Sequence, residues 1–221
     1  MTMRLDHVSY AVSHHELLDT VQSLGQQLGG TFEDGGRHPR FGTQNFVLPL
    51  EGGVYLEVVA ALDHPAAEKA PFGQAVKRRA EAGGGWLGWV ISVEDIAPFE
   101  ERIGRPAVEG HRVRPDGFDL TWKQLGVADL LEDPSLPFFV QWTCPPEQHP
   151  SALHPANVSA VACEIAADRE RIREWLGGAS LSSGTLRAPI DGTDVQWVEA
   201  DEPGLVAVHF RTAAGDVVRI D

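Results

Sequence analysis

One carboxylate interrupts an otherwise apolar stretch over residues 54–60, which reads VYLEVVA. This stretch follows a Gly52-Gly53 turn, so the sequence predicts the second arm of an antiparallel hairpin. A charge inside a half-buried strand is costly unless it is paired, hydrogen-bonded or bound to a cation. Glu57 therefore either faces solvent or lines a site, where it would act as a general base or as a metal ligand.

The segment before this hairpin carries basic and polar side chains close together. His38 precedes a proline, which favours extended backbone, and the flanking Arg37 and Arg40 should keep its imidazole neutral near pH 7. A neutral imidazole suits a general base or a hydrogen-bonding group, and a guanidinium binds a substrate carboxylate through two parallel hydrogen bonds. Thr43 and Asn45 add polar groups for binding the same substrate. The alternatives are an exposed loop histidine and ordinary surface arginines.

The first predicted strand, residues 5–12, contributes another imidazole. If Leu5, His7 and Ser9 share one face of this strand, His7 points into the same cavity as Glu57. The alternative is a structural histidine that is hydrogen-bonded to its neighbours. His7 is therefore a candidate for lining the substrate pocket and for binding a metal.

Two later predicted strands supply side chains for the wall of a substrate pocket, namely Trp122, Gln141 and Trp142. Core packing explains tryptophans in strands equally well.

The sequence contains no nucleophile elbow, no phosphate-binding loop and no dinucleotide fingerprint. Other histidines lie in Pro- or Gly-rich stretches without ligand spacing and are assigned no role, among them His64, His111, His149 and His154.

A recurring order of elements must position these residues. A strand, an amphipathic helix, a glycine stop and several antiparallel strands follow one another three times along the chain. The predicted units are a first βαβββ module over residues 1–62, a connector over 63–85, a second βαβββ module over 86–148 and a partial module over 149–221. This order predicts an α+β fold in which curled mixed sheets enclose a cavity.

The composition limits the partners and the compartment. A formal net charge of -14 disfavours nucleic acid and anionic membranes as partners, because phosphate binding needs clustered cations. No apolar run approaches the roughly 20 residues of a membrane span, and the N-terminus lacks the hydrophobic region of a signal peptide. A cytoplasmic protein is therefore expected. Cys144 and Cys163 have no CxxC spacing, which favours neither a disulfide framework nor a zinc site.

Four segments carry a resemblance to a known superfamily: residues 5–8 (LDHV), 36–45 (GRHPRFGTQN), 55–57 (YLE) and 137–142 (PFFVQW). Together with the repeated βαβββ order, they resemble the glyoxalase-like branch of the vicinal oxygen chelate superfamily, which also includes dioxygenases and bleomycin-resistance proteins. The resemblance implies a small-molecule enzyme of the lyase, isomerase or dioxygenase type. The alternative is a non-catalytic protein that binds or sequesters a small organic compound.

The resemblance also bears on metal binding. In metal-dependent members, the ligands come from the first and last strands of each module, and the matching positions here are His7, Glu57, Gly88 and Gln141. Glycine offers no side-chain ligand, while a divalent transition metal usually takes three protein ligands even in an open site. The resemblance therefore implies a degraded Zn, Fe, Mn or Ni site that holds His7 and Glu57, unless His38 supplies a third ligand.

In the enzyme that the resemblance implies, Glu57 abstracts or relays a proton, while His7 and His38 polarise a substrate oxygen. The substrate is a small organic molecule that the sequence does not name. The sequence also leaves open whether the modules pair within one chain or across a homodimer.

Overall fold

The computed structural model describes residues 3–178 and 193–221. Within these residues, eight strands close into a barrel and four further strands form a separate sheet. The barrel is built from two units of the same order, a strand, a helix and three strands, with a short extra helix in the second. The predicted α+β class, with curled mixed sheets around an interior, is confirmed.

The first unit contains β1 (Met3–Val12), α1 (Leu17–Leu28), β2 (Glu33–His38), β3 (Thr43–Leu50) and β4 (Val54–Ala61). The segment around His38, which the sequence suggests to be a loop, is mostly strand. β2 runs through His38, β3 begins at Thr43, and these two residues lie opposite each other in the β2–β3 hairpin. His38 is therefore held by a strand pair rather than by a free loop.

The connector contains two short helices, α2 (Pro65–Lys69) and α3 (Pro71–Glu81). The second unit contains β5 (Gly85–Val93), α4 (Ala97–Ile103), β6 (Val108–Val113), β7 (Asp119–Leu125), α5 (Val127–Leu130) and β8 (Phe138–Trp142). The sequence pattern does not predict β6, because Gly110 interrupts its alternation of apolar and polar residues.

The strand order around the barrel is β1-β4-β3-β2-β6-β7-β8-β5. At one junction of the two units, β1 lies parallel to β4 and antiparallel to β5. The opposite junction is narrow, because β2 and β6 are paired through Arg37 and Val113. The two modules therefore pair with each other within one chain.

The third unit contains β9 (Ser159–Ala166), α6 (Arg169–Trp175), β10 (Asp194–Trp197), β11 (Gly204–Arg211) and β12 (Val217–Ile220), in the sheet order β10-β9-β11-β12. One face of this sheet joins the hydrophobic core outside the barrel, where Phe210 lies 6.3 Å from Trp86 between ring centroids. Trp86 also donates its indole N–H to the Ile220 carbonyl oxygen at 3.0 Å. The third unit is thus an extra layer on the outer face of the barrel.

A bulge in β1 decides which side chains face the barrel interior. The pairing with β5 passes from Leu5–Ile91 directly to His7–Val90, so Asp6 is an extra residue in the strand. Leu5 packs in the outer core, while His7 lines the interior. The expectation that Leu5 and His7 share one face is therefore wrong, because the bulge shifts the alternation by one residue.

Helix α3 lies against one end of the barrel. Phe72, near its start, lines the interior beside Phe41, at 6.1 Å between ring centroids. The helix approaches this closely because residue 73 is glycine: a Cβ at Gly73 would lie 2.4 Å from the carbonyl oxygen of Phe41. Among the described residues, no helix is long and apolar enough to cross a membrane.

Candidate functional site

The barrel encloses a cavity whose wall comes from seven of its strands, from the β2–β3 turn and from the start of α3. Side chains alternate between the two faces of each strand, so every second residue of a strand contributes to this wall. The lining residues are His7, His38, Phe41, Asn45, Tyr55, Glu57, Phe72, Arg112, Trp122, Gln124, Phe138, Val140 and Trp142.

Glu57 lies inside the barrel and is 4% exposed. Its Oε2 accepts a hydrogen bond from Ser9 Oγ at 2.6 Å, and its Oε1 accepts one from Asn45 Nδ2 at 2.6 Å. Its strand neighbours Leu56 and Val58 pack in the outer core, as alternation requires. Of the two placements that the sequence allows, Glu57 thus takes the one in the cavity wall.

Arg112 brings a positive charge to the same wall from β6. Its Nη1 donates to Asn45 Oδ1 at 2.6 Å, so Asn45 connects the guanidinium to Glu57. Arg112 is buried, and the described residues give its Nε no hydrogen-bond partner. The unpaired donor is thus a buried N–H, while Arg112 as a residue lines the cavity.

The contact between Asn45 and Arg112 depends on a glycine in β2. A Cβ at Gly35 would lie 2.1 Å from Asn45 Oδ1 and 2.7 Å from Arg112 Nη1. Both distances are far too short for a methyl group, so any larger residue at position 35 would push the two side chains apart. The hydrogen bond that links the two units thus requires glycine on the neighbouring strand.

His38 is neutral near pH 7, because burial, reinforced by the positive charge of Arg112, lowers its pKa well below the usual range. Arg112 Nη1 can only donate, so His38 Nε2 is the acceptor in their 3.3 Å contact and His38 Nδ1–H donates to Thr43 Oγ1 at 2.9 Å. A neutral His38 was expected, but the cation responsible is Arg112 rather than Arg37 or Arg40. Thr43 reaches the site only through His38.

A buried carboxylate fixes the orientation of His7. Asp6 Oδ1 lies 2.7 Å from His7 Nδ1, and Asp6 Oδ2 accepts from Trp142 Nε1 at 2.9 Å and lies 3.3 Å from His149 Nε2. Burial alone would raise the pKa of Asp6, but the hydrogen bonds from His149 and His7 outweigh it and hold this pKa well below the usual range. Ionised Asp6 only accepts, so His7 carries a proton on Nδ1 and its Nε2 remains for the cavity.

Tyr55 lies next to this pair. Its ring stacks on the His7 imidazole with 4.4 Å between centroids and 16° between planes. Burial, together with the negative charges of Asp6 and Glu57, raises the pKa of Tyr55 well above the usual range. The hydroxyl therefore keeps its proton near neutral pH and is a hydrogen-bond donor in the cavity wall.

The wall contributed by β7 and β8 is aromatic. Trp122 lies 5.5 Å from Trp142, and Phe138 lies 6.2 Å from Phe72, between ring centroids. The indole N–H of Trp122 donates to Gln124 Oε1 at 2.9 Å, and that of Trp142 donates to Asp6. Both predicted tryptophans thus line the cavity, with their polar atoms already engaged.

Three residues that the sequence suggests for substrate binding do not reach the cavity. Arg37 and Arg40 are exposed, and Arg40 Nη1 donates to the Glu109 carbonyl oxygen at 2.8 Å. Gln141 lies on the outer face of β8, where its Oε1 accepts from the Ile96 N–H at 3.2 Å. For Arg37 and Gln141 the reason is alternation, since they are immediate neighbours of the inward-facing His38 and Trp142. Arg40 lies beyond β2, in the turn before β3. The predicted placement of Arg37, Arg40 and Gln141 is therefore wrong.

Sequence reasoning assigns no role to six polar residues at the site: Asp6, Ser9, Tyr55, Arg112, Gln124 and His149. The local pattern does not indicate Arg112, because Gly110 interrupts the alternation of its strand, Val108–Val113. For His149 the pattern gives no signal either. His149 lies between two short 3-10 turns, Pro146–Gln148 and Pro150–Ala152, and only the fold brings it to Asp6.

The residues at the site do not fit a divalent metal ion. Among the described residues, no group of three or more His, Cys, Asp and Glu side chains is arranged to hold one. Position 88 is glycine, and a Cβ there would already lie 3.1 Å from Leu130. Both oxygens of Glu57 accept hydrogen bonds, and Arg112 places a positive charge one hydrogen-bonded residue away. The structure thus gives no support to metal ligation by His7 and Glu57.

Two paired βαβββ units that close one barrel around an inward-facing polar site are the arrangement that the resemblance to the vicinal oxygen chelate superfamily predicts. The sequence profile of the family described as glyoxalase-like domain matches residues 5–181. The chain therefore belongs to the glyoxalase-like domain family, as its sequence motifs indicate.

Solved structures show similarity over different lengths. A hypothetical protein from Staphylococcus aureus matches with a TM-score of 0.73 at 15% identity, covering 99% of each chain, and it shares the whole fold. Methylmalonyl-CoA epimerase from Mycobacterium tuberculosis matches with a TM-score of 0.41 at 15% identity, covering 63% of this chain and 86% of that one. A variant of the Streptomyces coelicolor methylmalonyl-CoA epimerase, in complex with 2-nitronate-propionyl-CoA, gives a TM-score of 0.42 at 18% identity, covering 64% and 97%. No curated protein matches the chain.

Proposed function

We propose that this protein is a small-molecule enzyme of the isomerase or lyase type, which removes a proton from the carbon next to a carbonyl group. One observation carries this proposal: His7, with Nε2 left for the cavity, faces the same buried space as donors on Arg112 and Tyr55. A base and an oxyanion site are the two groups that such a reaction needs.

In the proposed step, His7 Nε2 takes the proton, and the electron pair of the C–H bond moves toward the carbonyl to form an enolate. Arg112 and Tyr55 donate hydrogen bonds to the enolate oxygen inside the buried cavity, where such bonds are stronger than in bulk water. Return of the proton to another face or atom gives an isomer, and departure of a leaving group gives a lyase product. Asp6 is a positioning residue, because it sets the tautomer and the orientation of His7.

Glu57 has a different role in this proposal from the one that the sequence suggests. Its two oxygens are occupied by Ser9 and Asn45, and Asn45 in turn holds Arg112. We assign Glu57 to anchoring Arg112 and to balancing its charge. Neutral His38 belongs to the same anchoring network, since it accepts from Arg112.

The substrate class follows from the same groups. Arg112 lines the cavity, and a guanidinium suits a carboxylate or a carbonyl oxygen. A 2-oxo acid has both of these groups and also carries acidic C–H bonds beside its carbonyl. Small 2-oxo acids are therefore the substrates that we propose.

Exchange of carbon-bound hydrogen with D₂O tests this function. The wild-type protein should accelerate the loss of the C3 proton signal of small 2-oxo acids, followed by proton NMR at pH 7. His7→Gln should lower the exchange rate by about 10²–10⁴-fold in protein that is still folded at the assay temperature, which the unfolding temperature of the variant checks. His14→Gln, at an exposed histidine, is the matched control. Exchange no faster than in buffer, or equal exchange by the His7 variant, would contradict the proposal.

A second candidate function is non-catalytic sequestration of a small organic compound. The aromatic wall of Trp122, Phe138 and Trp142 favours it, because such a wall binds apolar and aromatic ligands without any chemistry. Saturable binding of such compounds, with no hydrogen exchange in any bound 2-oxo acid, would favour sequestration over the enzyme.

A further inference from the structure

The barrel cavity is small. It leaves ≈ 40 Å³ in which the centre of a water molecule could lie, whereas one water needs roughly 10–15 Å³. The cavity therefore accommodates about as much as a few waters, which is enough for a carboxylate and a carbonyl but not for a longer molecule. Any larger part of a substrate must lie elsewhere.

A second pocket adjoins this cavity. Phe41, Phe72 and Gln124 line both spaces and so form the divider between them. The second pocket, called the side pocket below, leaves ≈ 150 Å³ for the centre of a water molecule. Its other walls come from the start of α3, the segment before β6 and the β7–α5 junction, including Pro71, Pro106, Val108, Leu125, Val127 and Ala128.

The side pocket is apolar and electrically balanced. Among the described residues that line it, only Arg105 is charged, and it forms an ion pair with Asp129, so these residues offer an anion no unpaired charge. Val108, 57% exposed, is among the few large apolar side chains that the described surface leaves open. An apolar surface in a concave site next to a polar cavity suits the hydrocarbon part of a ligand.

We propose that the two spaces form one site, with the polar head of the substrate in the barrel and its apolar tail in the side pocket. This inference rests on the proposed function for the nature of the head. The tail passes the divider of Phe41, Phe72 and Gln124, and it covers Val108 and Val127. The substrate class is thereby narrowed to 2-oxo acids that carry an alkyl or aryl chain, with pyruvate too short to use the side pocket.

Binding along a homologous series tests the site. We expect the affinity of the wild-type protein, measured by isothermal titration calorimetry, to rise from pyruvate through 2-oxobutanoate and 2-oxohexanoate to 2-oxooctanoate. Full burial of each added methylene gives roughly a fourfold gain. Ala128→Trp fills the side pocket from an exposed position and so should not disturb the fold. It should leave pyruvate affinity unchanged and remove the gain for the longer acids.

Ala214→Trp, at an exposed position in the turn between β11 and β12, is the matched control and should behave as wild type. Two results would overturn the side-pocket inference. One is an affinity that does not depend on chain length, and the other is an equal loss of affinity for pyruvate and 2-oxooctanoate in Ala128→Trp. Because the readout is binding, a protein without hydrogen exchange but with the expected chain-length dependence would refute only the enzymatic proposal. Hydrogen exchange together with an affinity that does not depend on chain length would refute only the side-pocket inference.

Discussion

The two units of the barrel share one order of elements but contribute different chemistry to its interior. The last strand of the first unit, β4, points Tyr55 and Glu57 inward. The last strand of the second unit, β8, points Phe138, Val140 and Trp142 inward. One wall thus carries the hydrogen-bonding groups and the other carries the apolar surface.

This difference shows that the fold determines which positions face the cavity, while each unit can fill those positions independently. Arg112 and Gln124 are the exceptions, because both come from the apolar unit, and Arg112 is bound by Asn45 of the polar unit. The polar site therefore needs both units, although nearly all of its polar groups lie in one.

The largest expected effect comes from removing the residue that joins the two units. Arg112→Met leaves Asn45 and His38 without a donor and Glu57 without a neighbouring positive charge, and the loss of one member of such a buried charged network costs about 3–5 kcal/mol. The free energy of unfolding in urea measures this. Arg40→Met, at an exposed arginine, should change it by less than about 0.5 kcal/mol. Equal effects of the two changes would mean that Arg112 does not link the units.

Asp6→Asn should have a smaller effect that depends on pH. Neutral asparagine is a weaker acceptor for His7, His149 and Trp142, which costs about 1–3 kcal/mol at pH 7. The folded-state pKa of Asp6 is depressed, so its stabilisation is complete above the unfolded pKa of about 3.9 and is lost as the pH falls toward the folded pKa.

Urea unfolding from pH 7 down to pH 2 checks this. The difference in the free energy of unfolding between wild type and Asp6→Asn should stay constant above about pH 5 and shrink below pH 4. His38, whose pKa is also depressed, destabilises both proteins alike below about pH 6.5, so it cancels in the difference. If this difference in the free energy of unfolding did not change with pH, these hydrogen bonds would not be what keeps Asp6 ionised in the folded protein.

A change in the apolar wall should affect ligand choice rather than chemistry. Phe138→Leu conserves most of the buried volume, so the expected cost is about 1 kcal/mol. Hydrogen exchange of bound pyruvate should stay within about threefold of wild type, since Phe138 has no polar group to contribute. A loss greater than tenfold would mean that the aromatic wall takes part in the reaction.

The smallest effect is expected on the outer face of the same strand. Gln141→Ala removes an acceptor from the partly buried Ile96 N–H, at a cost of about 1 kcal/mol or less. The exchange rate should not change, because Gln141 lies outside the barrel. A lower exchange rate with unaltered stability would contradict this placement and would restore the role that the sequence suggests.

Local patterns predict the fold class and part of the site. Alternation over β4 and the polar segment before it bring Glu57, His38 and Asn45 into view, and the resemblance adds His7. The sequence pattern does not identify Arg112, because its strand contains Gly110. A Cβ at this position would lie 2.3 Å from the Trp122 ring. The glycine that gives this tryptophan room also removes the alternation that would reveal the strand.

Other parts of the site depend on long-range arrangement that local pattern does not contain. The contact of His149 with Asp6 joins residues 143 positions apart, through a segment without regular periodicity. The outward positions of Arg37 and Gln141 follow from register, because a one-residue difference in a strand exchanges the two faces. A plausible residue type is therefore not enough to place a side chain in the cavity.

The bulge at Asp6 has a consequence for how the site could arise. If Asp6 were absent, Leu5, His7 and Val8 would follow one another outward, inward and outward, which is the pattern of an ordinary strand. Leu5 and Val8 already pack in the outer core in that way. The carboxylate that holds His7 is thus an extra residue of β1 that leaves the outward packing of Leu5 and Val8 intact, so the site gains a positioning group without any change in that part of the core.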